Sequence, residues 1–322
     1  MHAQPPSSAG EKAPLITFVV PCYNLPSEWV CACMDSILAL PLLAEEREII
    51  VVDDGSDTPV EESLRSYGSS ITCLRCSNGG LAAARNLGME HARGTYIQFV
   101  DGDDELSLQA YTRCLSLLKS LLPDMLLFCF KGKTQSPSPP VSGVFYMQNY
   151  NLRASACLYL FRRTMVGKLR FISGILHEDE AFTPQLLLRA ASVCDTGQGA
   201  YVYRRRQHSI TNCPDRVHIG KRLADKEAVL LLLNELSRHQ PVPAAQALCR
   251  RVAQLTMDLL VDTARLTSGR QDLTALSLRL RQQRLYPLPR ILYTPLYFLF
   301  SLISAYPFGL SVLYFLLRGR LR

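Results

Sequence analysis

Tyr96-Ile97-Gln98-Phe99-Val100-Asp101-Gly102-Asp103-Asp104 carries an uncharged, mostly apolar run straight into a carboxylate cluster. The run reads as a buried strand that delivers three acidic side chains to an exposed edge. The layout recurs where Ile49-Ile50-Val51-Val52 leads into Asp53-Asp54-Gly55-Ser56-Asp57. In open α/β sheets ligands bind beyond the carboxyl ends of strands, so two acidic strand ends point to one shared site. Mg²⁺ and Mn²⁺ prefer hard oxygen ligands and are commonly held by one or two carboxylates while a substrate's phosphates complete the shell. A diphosphate-bearing substrate therefore fits. Taken singly, Asp-Gly and Asp-Asp pairs are ordinary turn formers, and the weight lies in their repetition.

Outward from these strands the first half alternates in a βαβ manner. An apolar strand is expected over residues 15–20, stopping at Pro21, which removes a ladder donor. A helix over 27–40 follows, ended by Pro41, then a strand over 48–52 and a short helix from Asp57 to Leu64. Residues 71–74 read as a strand, and Asn78-Gly79-Gly80 as a loop opening a helix over 81–91 that Gly94 breaks. After the 96–100 strand come a helix over 106–122 and a buried strand over 125–130. This succession predicts an α/β fold with a mainly parallel sheet flanked by helices. A Ser-Pro-rich stretch within 131–143 predicts a flexible loop.

The 322 residues, 48% hydrophobic and 20% charged, belong to the globular class. Residues 1–13 read as a flexible tail and not as a secretory signal, so the catalytic part is expected in the cytoplasm. The eleven cysteines are odd in number and scattered, and reduced thiols are expected. Cys31/Cys33 and Cys73/Cys76 do not supply a convincing tetrahedral zinc set.

The net charge of +7 is uneven, for no Asp or Glu follows Asp272 while arginines crowd the remainder. Nucleic acid is one partner for such a patch, but the residues between the arginines are strongly apolar, which suits an anionic membrane surface and argues against nucleic acid. Residues 216–285 show helical amphipathic spacing and form an expected helical region. Residues 286–322 form an apolar and basic membrane-associating segment, within which 291–317 carry no charge and are long enough to cross a bilayer. Pro295, Pro307 and Gly309 divide that stretch and arginines flank it. A broken hairpin or interfacial helices with both ends inside rank at least level with a single span, and a buried helix pair or dimer interface stays open.

Four motifs in order, Pro21-Cys22-Tyr23-Asn24, Val52-Asp53-Asp54-Gly55-Ser56, Asn78-Gly79-Gly80-Leu81 with Ala84-Arg85-Asn86, and Phe99-Val100-Asp101-Gly102-Asp103-Asp104, closely resemble family 2 glycosyltransferases of the GT-A fold, of the bacterial surface-glycan type. The resemblance is specific over about residues 14–110 and looser to about Thr211. It implies a GT-A glycosyltransferase domain over 14–215. It implies that Tyr23 stacks on a nucleotide base, that Asp54 accepts from a base N–H, that Asp53 supports the ribose side, and that Pro21, Asn24, Gly80, Arg85 and Gly102 line the donor site. Arg85 has two partners open to it, phosphate or the acidic cluster. The Asp-x-Asp element maps onto Asp101 and Asp103, with Asp103 the better placed as direct ligand of Mn²⁺ or Mg²⁺, and Asp104 next to it.

An inverting transfer also needs a carboxylate that takes the acceptor proton. His177-Glu178-Asp179-Glu180, after Phe171-Ile172-Ser173-Gly174, resembles the family's Glu-Asp element, which makes Asp179 the base and Glu178 its support; an acidic first helical turn is the plainer reading. Tyr201 to Thr211 resembles a segment whose arginines could meet the diphosphate, and His208 is a further metal candidate. The Gln-x-x-Arg-Trp mark of processive synthases is missing, which favours single addition. The expected activity is metal-dependent transfer from a nucleotide-sugar, a UDP-sugar foremost, to a lipid-linked or surface-glycan acceptor, as in lipopolysaccharide assembly, at the cytoplasmic face of the cell membrane. A polyprenyl-phosphate acceptor and a non-catalytic nucleotide-sugar-binding scaffold are the alternatives. A nicotinamide dehydrogenase is disfavoured, since no Gly-x-Gly-x-x-Gly follows the first strand.

Overall fold

The computed structural model describes residues 13–133, 137–205, 215–267, 269–291, 293–306 and 308–319, the side chains of 318 and 319 excepted. The chain divides into two compact units. The first comprises Met1–Pro140, Ala156–Ser173 and Ser192–Arg204. Its strands are β1 (Ile16–Cys22), β2 (Arg47–Asp53), β3 (Thr72–Arg75), β4 (Tyr96–Phe99), β5 (Glu105–Leu106), β6 (Met125–Leu127), β7 (Tyr159–Arg162), β8 (Val193–Asp195) and β9 (Tyr201–Val202). Its helices are α1 (Ser27–Leu38), α2 (Val60–Leu64), α3 (Leu81–His91) and α4 (Leu108–Leu121).

Seven strands form one sheet in the order β3-β2-β1-β4-β7-β6-β8, while β5 and β9 make a separate antiparallel pair. All neighbours in the large sheet run parallel except β7, which is antiparallel to both β4 and β6. The fold is thus the expected mainly parallel α/β sheet with helices about it. Alternation along β1 sends Ile16, Phe18 and Val20 into one core with Met34 and Ile37 of α1 and Tyr111 and Leu118 of α4. Val19 faces the other way, where Gly88 lets α3 close on it because a Cβ there would overlap its side chain.

β1 runs through Pro21 instead of stopping before it. The reason is register: Val19 pairs with Phe99, the last residue of β4, whereas pairing with β2 continues to Cys22 opposite Asp53. In a parallel strand alternate residues bond to alternate neighbours, and here Asp54 N–H donates to Cys22 O at 2.9 Å while Gly102 N–H donates to Pro21 O at 3.3 Å. The N–H that proline lacks would lie on the same side as its carbonyl, toward the chain leaving β4, so the pairing of β1 with β2 is untouched by it.

The second unit comprises Val141–Ser155, Gly174–Ala191 and Arg205–Arg322. It holds α5 (Gly143–Asn149), α6 (Glu178–Leu187), α7 (Arg216–Arg238), α8 (Val242–Leu266), α9 (Arg270–Gln282), α10 (Pro295–Ser304) and α11 (Gly309–Gly319). Buried Leu230 and Leu233 of α7, Leu248, Leu255, Leu259 and Leu260 of α8, and Leu273, Leu276 and Leu280 of α9 form its core. The helical region expected over 216–285 is present. The uncharged 291–317 stretch is divided into α10 and α11, and among the described residues no helix is long and apolar enough to cross a membrane.

Candidate active site

The order β2-β1-β4 brings the carboxyl ends of three parallel strands side by side in the first unit, and every donor-site candidate predicted from sequence leaves one of those ends or the start of α3. This is the switch-point crevice of an open α/β sheet, where β1 connects to neighbours on opposite sides. Tyr23 follows β1 with its ring half exposed, at 50%. Asn24, in the left-handed region at φ 47°, ties the loop to the one after β2: its N–H donates to Ser56 Oγ at 3.0 Å and its Nδ2 to Asp57 Oδ2 at 3.1 Å. Asn24, Pro26, Ser27, Ser56, Asp57 and Val60 line a cleft of about 400 Å³.

Asp53 and Asp54 are both buried and do different work. Asp53 accepts from Ser56 N–H at 2.8 Å, Val60 N–H at 3.2 Å and Arg75 Nη1 at 2.8 Å. Burial opposes its charge, but those donors and the arginine outweigh it and hold the carboxyl below its usual value. Asp54 spans the Asn78-Gly79-Gly80 loop, with Gly79 N–H donating to Oδ1 and Gly80 N–H to Oδ2, each at 2.8 Å. Both glycines are needed: a Cβ at Gly79 would lie 2.8 Å from Ala83 Cβ, and Gly80 sits at φ 84° as the N-cap of α3. The start of α3, which the sequence offers to an anion, thus already has a carboxylate on it. Asp54 Oδ1 accepts in addition from Cys76 Sγ at 3.7 Å.

The acidic loop after β4 is held on all sides. Gly102 fits because a Cβ there would meet Cys22 Sγ at 2.5 Å and Pro21 O at 3.1 Å. Arg85 resolves its two options toward the acidic cluster: it is buried, donates Nη2 to Asp101 Oδ1 at 3.0 Å, and lies over the rings of Phe99 and Phe171 at 5.7 and 5.4 Å. Asp103 is buried and Asp101 about a third exposed at its side chain. Asp104 accepts from Arg204 N–H at 2.7 Å, and its carboxyl is pushed up to about 7, first by burial and next by the charge of Asp101, with Asp103 adding to it.

Tyr201 and Arg204 belong to the segment that sequence set beside the diphosphate, but their support of this loop escaped that reading. Pairing of β5 with β9 sets Leu106 opposite Tyr201. Tyr201 Oη then accepts from Asp101 N–H at 3.0 Å. Arg204, which sequence offered to the diphosphate, instead donates to Asp103 O at 3.0 Å and to Glu105 Oε1 at 2.7 Å, over the Trp29 ring. A two-residue strand paired across about a hundred positions leaves no periodicity to read.

Among the described residues no three His, Cys, Asp or Glu side chains are grouped to hold a metal ion by themselves. The two-carboxylate set of Asp101 and Asp103 is nonetheless the chemistry that Mg²⁺ or Mn²⁺ takes beside substrate phosphates. Burial raises Asp104 most, and the charges of Asp101 and Asp103 that add to it are what a hard cation would offset, so these carboxylates fit such an ion. His208 lies outside the described residues.

In the second unit, Glu178, Asp179 and Glu180 form the first turn of α6, behind His177 in the left-handed region at φ 66°. Glu178 is buried and Asp179 partly so, with Asp179 Oδ1 accepting from Glu180 N–H at 2.8 Å. The turn is clamped: buried Arg251 of α8 pairs with Glu180, and Asp225 of α7 accepts from Leu176 N–H at 2.8 Å.

Residues 17–169 match the profile of glycosyl transferase family 2. The uncharacterized glycosyltransferase EpsJ of Bacillus subtilis is 29% identical over 223 residues, which are 62% of this chain and 64% of that protein. The chain therefore spans just under two thirds of that relative's length. The crystal structure of S. aureus TarS 1–349 in complex with UDP-GlcNAc superposes at TM-score 0.61 with 17% identity, over 92% of this chain and 83% of that one. The mannosyltransferase PcManGT of Pyrobaculum calidifontis, in complex with GDP-Man and Mn²⁺, superposes at TM-score 0.54 with 16% identity, over 96% of this chain and 90% of that one. At that identity the two structures speak for the shared fold.

Proposed function

We propose that this family 2 glycosyltransferase domain transfers a sugar, with inversion and with Mn²⁺ or Mg²⁺, from a nucleotide-sugar donor to an acceptor hydroxyl. The observation that carries the proposal is the single sheet edge on which an exposed Tyr23, the Asp54-bound glycine loop and the Arg85-oriented acidic loop meet. UDP-GlcNAc in TarS and GDP-Man with Mn²⁺ in PcManGT support a donor of that class, and a UDP-sugar is the favoured one.

Tyr23 offers its ring face to the base, while Asn24 and Asp53 fix the two loops that frame the nucleotide. Asp54 fixes the Gly79-Gly80 turn at the start of α3 through both N–H groups. Arg85 engages Oδ1 of Asp101, and Asp101 together with Asp103 would hold the ion. A divalent cation held there acts as a Lewis acid that offsets negative charge on the departing nucleoside diphosphate. Asp179, supported by Glu178, takes the proton from the acceptor hydroxyl, and the clamp on Glu180 holds its turn in place.

The acceptor in this proposal is a lipid-linked or surface glycan at the cytoplasmic membrane face, reached through residues 286–322. The exposed apolar side chains of α10 and α11 also favour a polyprenyl-phosphate acceptor, with the same donor chemistry. The test is release of nucleoside diphosphate from a panel of UDP- and GDP-sugars, with Mn²⁺ or with EDTA, using membrane extract as acceptor. Metal-dependent release from one donor class supports transfer; donor binding with no release under any condition favours the non-catalytic scaffold.

A further inference from the structure

α10 and α11 are apolar on nearly every side, yet only one face of each is packed. In α11, Leu313 and Tyr314 join the helical core, and in α10 Tyr297 and Phe300 do the same. The opposite faces and the connection between the helices are open: Leu296, Leu299, Tyr306, Phe308, Val312, Phe315 and Leu316 are 48–78% exposed. Of the twenty large hydrophobic side chains exposed among the described residues, these seven fall within one stretch of 21 positions, so they form a patch and not the scattered singles of an ordinary surface.

Charge decides what covers it. Arg270 and Arg281 line a cavity of about 240 Å³ together with Tyr286, Tyr306, Leu310 and Ser311, with the Arg281 guanidinium over the Tyr286 ring at 4.9 Å, so two exposed arginines border the apolar face. Arg284 and Arg290 are exposed nearby in sequence, and no carboxylate follows Asp272 to neutralise any of them. A second copy packed face to face would bring like-charged rims together. Each helix has ten or eleven residues, about 15 Å long against a hydrocarbon core of about 30 Å, so neither crosses it.

We infer that the α10–α11 hairpin lies in the plane of an anionic bilayer, with its seven open apolar side chains below the headgroups and the Arg270–Arg281 cavity receiving a lipid phosphate. Amphipathic surface elements that combine apolar faces with arginine bind membranes in this way, and guanidinium forks suit phosphate oxygens. The surface rests on the membrane contact put forward above, but vesicle binding needs neither donor nor acceptor, so its failure and a failure of sugar transfer are separate results.

The experiment is co-sedimentation of the full chain with phosphatidylcholine vesicles, alone and with phosphatidylglycerol added. Binding is expected with the anionic lipid and should weaken with salt. Phe308→Ser with Phe315→Ser should lower partitioning about 100-fold, roughly tenfold for each ring withdrawn. Arg270→Gln with Arg281→Gln should cut the preference for phosphatidylglycerol by about 25-fold, near fivefold per charge. The Phe308/Phe315 double variant should keep the parent's circular dichroism and melting temperature because both rings are exposed, and the arginine double variant should keep the circular dichroism with a small loss of melting temperature from the Arg281 contact with the Tyr286 ring. Absence of vesicle binding, equal binding to neutral and anionic vesicles, or a dimer that the Phe308/Phe315 double variant abolishes would each overturn the inference.

Discussion

Gly102→Ala puts one methyl group where the structure has no room for it. The added Cβ would lie 2.5 Å from Cys22 Sγ, 3.0 Å from Leu25 Cδ1 and 3.1 Å from Pro21 O. Ordinary contact between carbons is about 3.5–4.0 Å, so the acidic loop or the end of β1 must shift by roughly 1 Å. Pro21 belongs to a fully buried strand and gives little, which leaves the loop to move. Overpacking of this kind costs about 1–3 kcal/mol, or about 4–8 °C in melting temperature for a 2 kcal/mol loss. A displacement of about 1 Å at a reacting centre costs on the order of 10²-fold in rate, so donor turnover should fall further than stability suggests. Thermal unfolding and nucleoside diphosphate release, measured on the same preparation, report the two effects separately. Adding Cys22→Ala removes the nearest obstructing atom and should restore part of both. A Gly102→Ala protein with the parent's melting temperature and turnover would refute the close packing of this loop.

Asp54→Ala leaves the Gly79 and Gly80 N–H groups without their carboxylate. At about 1.5–3 kcal/mol for each bond to a charged group, a stability loss near 3 kcal/mol is expected by denaturant titration, with faster amide exchange at both glycines. Asp179→Asn should retain donor and metal binding while turnover falls by ~10² to 10⁴, and unchanged turnover would remove Asp179 from the role of base. Stability should also decline in acid because of His177. Burial, followed by the charge of Lys226, lowers its ring to about 4 from an ordinary 6.5, with Glu180 pulling the other way. Above pH 6.5 the ring is neutral in both states; below it the unfolded chain takes up the proton first, so stability drops by up to about 3 kcal/mol as the pH approaches 4. His177→Gln should flatten that slope in denaturant midpoints measured across the range.

Local punctuation made part of this fold readable. Gly80 and Gly94 bracket α3, which occupies Leu81–His91 as the loop chemistry predicts, and the apolar runs into Asp53 and Asp101 are β2 and β4. The βαβ succession foretold a mainly parallel sheet, but the strand order and the one reversed strand were not readable, because a single apolar run looks the same whichever way its partner runs; β7 sits between β4 and β6 with reversed polarity. The extension of β1 past Pro21 depends on its pairing with β2 as far as Asp53, which is a property of the sheet and not of the segment. Motif order marked the acidic loop, but its supports, Tyr201 and Arg204, reach it across a two-residue ladder that carries no signal of its own. Likewise, Asp54 is visible as an acidic strand end, whereas its two bonds to the glycine loop depend on the end of β2 lying beside the start of α3.

The most direct test of the metal and diphosphate assignment is calorimetric titration of UDP and GDP into the protein with Mn²⁺ and with EDTA, repeated on Asp101→Asn and Asp103→Asn. The account predicts nucleoside diphosphate binding that needs Mn²⁺, is weakened in the Asp101 variant and is lost in the Asp103 variant, each variant remaining folded. Equal affinity in Mn²⁺ and EDTA, or wild-type affinity in both variants, would contradict it.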